Sequence, residues 1–251
     1  MTLLPPRTPW PAKFHDVVIH SEVKTRDTSP YYASAKAGDA DAALSLALAL
    51  QSASAVEQLG RIIGNRNPIL LPVVADEAAG FNAIPDALAQ SLARQLDLAA
   101  TMGTVVQTNK VGHTRAPSFQ RLVTPAEFDG PVEPGRDYIL IDDHVGLGGT
   151  LANLRGFIEV HGGTVIAMTT LTESRTARTI SLQPATRNML WAKHGQALDH
   201  LWETQFGYGI DCLTDIEAQN LCRQPSLAAI EDFLAQAAIE ARGRGLEPAV
   251  G

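Results

Sequence analysis

Hydrophobic positions along the chain follow three different rhythms. Residues 1–13, with Pro5, Pro6, Pro9 and Pro11, show no apolar period and read as an irregular arm. Phe14 to His20 (FHDVVIH) has strand composition. Pro30 to Leu50 is rich in alanine and leucine and predicts helix, broken at Gly38-Asp39. From Asn67 strands and helices alternate. Pro68 to Ala75 (PILLPVVA) is the short continuous apolar run of a strand buried on both faces. The loop Asp76 to Asn82 follows. Pro85 suits the first turn of a helix carried by Leu88, Leu92 and Leu96. Gly103 to Thr108 (GTVVQT) predicts another strand, and Asn109 to Ser118, with Gly112 and Pro117, predicts a mobile loop.

The most regular segment begins at Asp137. Tyr138-Ile-Leu-Ile141 is a strand and Asp142 to Thr150 (DDHVGLGGT) a loop. Leu151, Leu154 and Ile158 mark a helix that Gly162 ends, and Thr164 to Leu171 is a second strand. This is a βαβ unit with parallel strands. Together with the preceding strand, loop and helix it predicts an α/β fold, a doubly wound and mainly parallel sheet flanked by helices. Its ligand site lies at the carboxyl ends of the strands. The expected organisation is an N-terminal arm, strand and helical segment (1–66), a core (67–173) and a C-terminal flanking helical subdomain (174–251).

Length and composition narrow the function. A chain of 251 residues with 45% hydrophobic residues can bury roughly 70–75% of its unfolded surface without staples. Two cysteines, Cys212 and Cys222, argue against a disulfide scaffold and favour a reducing, cytoplasmic setting. The apolar stretch from Ala42 to Leu50 is far short of a membrane span of roughly 20 residues. A net charge of −7 argues against nucleic acid or a membrane surface as the main partner. The charge is unevenly placed, however. No acid lies between Asp97 and Glu127, a gap holding Lys110, His113, Arg115 and Arg121, nor from Ser174 to Leu198, which holds Arg175, Arg178, Arg187 and Lys193. Such segments suit a small anionic ligand.

The loop after Tyr138–Ile141 carries the sharpest chemistry. Gly148 and Gly149 let backbone amides approach a ligand, and the following helix adds exposed donors and a positive dipole end, which together suit a phosphate. Thr150 either caps the helix or gives its hydroxyl to that phosphate. Asp142 and Asp143, upstream, accept hydrogen bonds from vicinal hydroxyls or hold a hard cation through water. A phosphorylated sugar satisfies both halves.

Tyr138 to Leu151 (YILIDDHVGLGGTL) resembles the binding signature for phosphoribosyl pyrophosphate (PRPP) of type I phosphoribosyltransferases, and the likeness spans Pro68 to Leu171. The resemblance implies that family's α/β core with N- and C-terminal hood elements, Mg²⁺ bound with PRPP, transfer of the 5-phosphoribosyl group to a nitrogen nucleophile such as a nucleobase, and a homodimer. Carried onto this sequence, Asp142 and Asp143 bind the ribose hydroxyls and meet the metal indirectly. Gly148, Gly149 and Thr150, with the backbone of Val145, Gly146 and Leu147, hold the 5′-phosphate. Ala75, Asp76, Glu77, Gly80 and Asn82 form a pyrophosphate loop, and Lys110, His113 and Arg115 belong to a flexible catalytic loop.

Four features depart from that pattern. Leu147 has no side-chain donor, Gly146 cannot serve a purine as an aspartate does there, and Asp76 and Glu77 are acids beside a polyanion. His144 reads equally as a ligand group or a core histidine. Trp191, Trp202, Phe206 and Tyr208 read as a base-stacking hood or as plain core; Arg175 and Arg178 face a base, a dimer partner or solvent. Two alternatives to transfer therefore stand: a non-catalytic PRPP or nucleotide sensor, and a hydrolase using water in place of a base.

Overall fold

The computed structural model describes residues 6–77, 80–101, 104–109 and 118–249. In chain order its elements are β1 (Val18–Ile19), α1 (Val23–Asp27), α2 (Tyr32–Lys36), α3 (Ala40–Leu50), α4 (Ala53–Ile63), β2 (Ile69–Pro72), β3 (Asp76–Glu77), β4 (Gly80–Phe81), α5 (Ile84–Leu96), β5 (Val106–Gln107), α6 (Ser118–Val123), β6 (Phe128–Asp129), β7 (Asp137–Val145), α7 (Gly149–Val160), β8 (Thr164–Glu173), α8 (Pro184–Phe206), α9 (Asp215–Cys222) and α10 (Leu227–Gly243). Four strands form a parallel sheet in the order β1-β8-β7-β2, and β3-β4 and β5-β6 are short antiparallel ribbons.

Successive residues on a strand point to opposite faces, and both faces of this sheet are covered. Leu70, Ile139 and Ile141 join Leu46, Leu59, Leu88 and Leu92 of α3, α4 and α5 in one core cluster. Their neighbours Ile69, Leu71, Tyr138 and Leu140 join Leu151, Leu154 and Ile158 of α7 in the cluster on the other face. The uninterrupted apolar runs of β2 and β7 follow from this double burial. The chain leaves β2 through α5 on the first face and returns at Ala100, which bridges Leu70 in parallel. It leaves β7 through α7 on the second face to reach β8 on β7's other side. Winding therefore reverses between β2 and β7, and the crevice beyond their carboxyl ends is where a ligand fits an open α/β sheet.

Two expectations change. The strand foreseen over Gly103–Thr108 is, among the described residues, limited to Val106–Gln107, which pairs antiparallel with Phe128–Asp129 and stays outside the parallel sheet. The strand ending foreseen at Ile141 runs on to Val145, because β8 keeps pairing as far as His144↔Thr172 and Val145↔Glu173. The two acids are thus held by a strand and not by a loop.

A third core lies beyond the sheet. Trp202, Phe206 and Tyr208 are buried there with Leu213, Leu221 and Leu234, so these aromatics pack and do not present a stacking face, while Trp191 is half-exposed. Arg178 is engaged with Glu173 at the surface. The arm at residues 6–13 straps this core to α7. The Arg7 guanidinium donates to both Glu217 oxygens at 2.6 and 3.0 Å and to Asn153 Oδ1 at 2.5 Å, and Trp10 Nε1 donates to Leu213 O at 2.7 Å. Among the described residues no helix is long and apolar enough to cross a membrane.

Candidate functional site

The crevice between β2 and β7 gathers Asp142 and Asp143 from β7, the turn entering α7, the end of the β3-β4 ribbon and the N-terminal helix α2. Asp142 and Asp143 are both buried, at 9% and 6% exposure. The Asp143 amide donates to Asp142 Oδ1 at 2.8 Å, and Lys36 Nζ lies 2.9 Å from Asp143 Oδ2. Lys36 reaches this point because α2 packs on the chain following β4, where Ala83 N donates to Ala35 O at 3.2 Å.

The pair is electrostatically divided. Burial, and then the charge of Asp143, push the Asp142 carboxyl well above the usual carboxylate range. Burial works the same way on Asp143, but the Lys36 ammonium and its hydrogen bond outweigh it and hold that carboxyl below its ordinary value. A carboxylic acid beside a carboxylate offers a donor and several acceptors to two vicinal hydroxyls.

Gly148 adopts a left-handed conformation (φ 82°) and Gly149 opens α7, so the first amides of the helix lack intrahelical acceptors. Gly146, Leu147, Gly149 and Thr150 are half-exposed, and Val145 and Gly148 are buried. The close approach that the glycines permit is partly used by the chain itself. A Cβ on Gly149 would come within 2.9 Å of Glu217 Oε1 and 3.2 Å of Arg7, and one on Gly148 within about 3.0 Å of Ile180. Thr214 Oγ1 donates to Leu147 O at 2.6 Å.

His144 turns toward β8, its ring nitrogens 2.8 Å from the hydroxyls of Thr172 and Ser174. The ring is half-buried, and burial, then the nearby Arg26 charge, lower its pKa. In the loop after β2, Ala75 precedes the ribbon and Asn82 is buried with its side-chain oxygen accepting from the N–H of Ile84, the first residue of α5, at 3.2 Å. Asp76, Glu77 and Gly80 are placed by their backbone in the ribbon. Lys110, His113 and Arg115 lie outside the described residues.

Two cations near Asp143, Lys36 and Arg26, and a third, Arg121, beside Gly146 carry no sequence signal as a group. Arg26 Nη1 donates to Thr172 Oγ1 at 2.9 Å and its guanidinium stacks 4.7 Å from the Tyr32 ring. Arg121 Nη1 lies 3.0 Å from where a Gly146 Cβ would be. They come from α1, α2 and α6, and only the tertiary fold assembles them.

No family model matches the sequence. The chain is 42% identical over 238 residues to Protein TraN of Escherichia coli, covering 95% of this chain and 53% of that one. It is 38% identical over 152 residues to an uncharacterized protein of Haemophilus influenzae, covering 61% and 34%. The chain thus spans about half the length of the first of these relatives and about a third of the second. Among solved structures, a hypoxanthine phosphoribosyltransferase from Staphylococcus aureus aligns over 52% of this chain and 65% of its own with 13% identity and a TM-score of 0.37. UMP synthase of Leishmania donovani aligns over 73% and 33% with 13% identity and a TM-score of 0.29.

Proposed function

We propose that this protein binds PRPP and transfers its 5-phosphoribosyl group to a nitrogen nucleophile, releasing pyrophosphate. The observation that carries this reading is the buried Asp142–Asp143 pair at the switch point of the sheet, followed at once by the glycine turn that opens α7. In this reading the acid pair takes the 2′ and 3′ hydroxyls, and the backbone amides from Leu147 to Thr150 take the 5′-phosphate. Fixing the sugar at both ends places the anomeric carbon for in-line attack, an orientation effect worth several kcal/mol, on the order of 5 or more.

Mg²⁺ fits this reading as an ion that arrives with PRPP. A carboxylate already paired with Lys36, beside a carboxyl group pushed toward its neutral form, makes an incomplete donor set for a hard cation. Among the described residues no group of three or more His, Cys, Asp or Glu side chains is arranged to hold a metal. When bound, Mg²⁺ would supply charge neutralisation on the diphosphate, with Asp142 and Asp143 meeting it through sugar hydroxyls or water.

A second reading, a sensor that binds PRPP without turnover, draws on two contacts. Lys36 already engages Asp143, and Glu217 with Arg7 stands close over Gly149. Pyrophosphate release separates the two. With Mg²⁺, PRPP and a panel of nucleobases and related heterocycles, a transferase releases pyrophosphate only when the right acceptor is present. PRPP binding without release for every acceptor selects the sensor.

A further inference from the structure

The glycine turn that opens α7 is not fixed by its own residues. Glycine tolerates φ of either sign, so the peptide joining Leu147 to Gly148 has two open orientations, and Leu147 brings no side-chain donor to select one. Here Gly148 sits at φ 82° and the peptide is trans. The group that holds it comes from outside the sheet layers. Thr214, the N-cap of α9, donates its hydroxyl proton to Leu147 O at 2.6 Å, and its Cγ2 methyl stands 3.1 Å from where a Gly148 Cβ would be.

Thr214 is itself tied down on every side. It is 1% exposed. Its backbone bridges Ser181 in antiparallel fashion, and the next amide, Asp215 N, donates to Ile180 O at 3.1 Å. Its own amide donates to Glu217 Oε2 at 2.9 Å, and its Oγ1 accepts from Glu217 N at 3.2 Å. A hydroxyl has one proton, and with Oγ1 already accepting from α9 that proton is directed at Leu147 O. Glu217 is clamped by Arg7, and Arg7 by Asn153 of α7. A ring of hydrogen bonds thus runs from the turn through α9 and the arm back to the helix that the turn opens.

A trans peptide carries its C=O and N–H on opposite sides. A Leu147 carbonyl directed at Thr214 therefore turns the Gly148 N–H away from α9, and the reversed orientation puts the carbonyl, a negative dipole end, in its place. We propose that Thr214 is a positioning residue for the phosphate turn: its hydroxyl holds the Leu147 carbonyl back so that the Gly148 amide meets the 5′-phosphate. This inference rests on the ribose-phosphate reading above, and it adds a requirement that reading does not contain. The anion affinity of the α7 N-terminus is set by a hydroxyl on α9, in the C-terminal subdomain.

Titration calorimetry on the full chain with Mg²⁺ tests it, with ribose 5-phosphate, PRPP and pyrophosphate as probes, at a temperature where urea unfolding shows every variant folded. Thr214→Val keeps the shape and removes the proton, and should weaken ribose 5-phosphate and PRPP by about tenfold each. Thr214→Ala, equally without a donor, stands in should the valine chain fail to fold. Thr214→Ser keeps the proton and should stay within about twofold of the wild type for both ligands. Pyrophosphate has no 5′-phosphate, so its affinity, measurable or not, should be alike in all the chains; a loss there equal to that for ribose 5-phosphate would mark a general distortion. That equal loss overturns the positioning role and leaves the ribose-phosphate reading standing, as does wild-type affinity for ribose 5-phosphate in the donor-free variant or a full loss in Thr214→Ser. A wild-type chain that binds neither ribose 5-phosphate nor PRPP overturns the reading and the positioning role with it.

Discussion

Asp142 and Asp143 are adjacent in sequence and opposite in electrostatic character, and the difference comes from Lys36. Adjacent acids were legible before the fold was known; their division was not, because Lys36 sits on a helix far upstream whose composition announces no function. Asp142→Asn imitates a carboxyl already pushed toward its neutral form and should cost little stability. Asp143→Asn strips Lys36 of its counter-charge in a largely buried setting and should cost about 1–3 kcal/mol in urea unfolding. Equal effects would mean that the pair shares its charge evenly. His20 gives a pH signature outside the site. Its Nδ1 accepts from Ser52 N, its Nε2 faces Thr169 Oγ1, and burial lowers its pKa to about 4. The unfolded chain therefore binds a proton that the folded chain refuses between about pH 6.5 and 4. Stability falls as pH drops through that window, by up to about 3 kcal/mol, and is fully present above it. His20→Gln should flatten that slope, as read from urea midpoints at pH 7 and 4.5.

At the scale of elements, α7 is contested from two sides. Its N-terminus offers amides to an anion, while the arm and α9 press Arg7 and Glu217 against the same turn. Both members of that ion pair are almost fully buried, at 3% and 2% exposure. Glu217→Ala would leave the guanidinium without its partner and remove the capping box of α9, at a cost of about 3–5 kcal/mol in thermal or urea unfolding. A loss below about 1 kcal/mol would show that the strap contributes little. The βαβ unit was legible because β7, α7 and β8 each carry their own apolar rhythm. The length of β7 was not: Asp142 and Asp143 read as loop residues by polarity, and cross-strand pairing with β8 overrides that preference. The ribbon at Val106–Gln107 was misplaced for a related reason, since a short apolar run does not encode its partner.

Across the whole molecule, the sheet layers followed from sequence because double burial writes continuous apolar strands, and a ligand site at the strands' carboxyl ends followed from the doubly wound pattern; the switch point between β2 and β7 needed the strand order itself. The ion-paired arm and the cation cluster required contacts between distant segments, for which a single sequence carries no pattern. Charge placement takes on meaning at this scale. The tail from Leu201 to Gly251 carries eight acids and three bases, yet Arg26 and Lys36 come together beside Asp143. A net charge of −7 is therefore compatible with a small anionic guest at the carboxyl end of β7. The central claim is that this guest is a ribose phosphate held by Asp142 and Asp143. Calorimetric titration of the wild-type chain and of Asp142→Asn with Asp143→Asn with Mg²⁺ and PRPP tests it most directly. The account predicts saturable 1:1 binding by the wild type and its loss in the double variant; equal affinity in the two would contradict it.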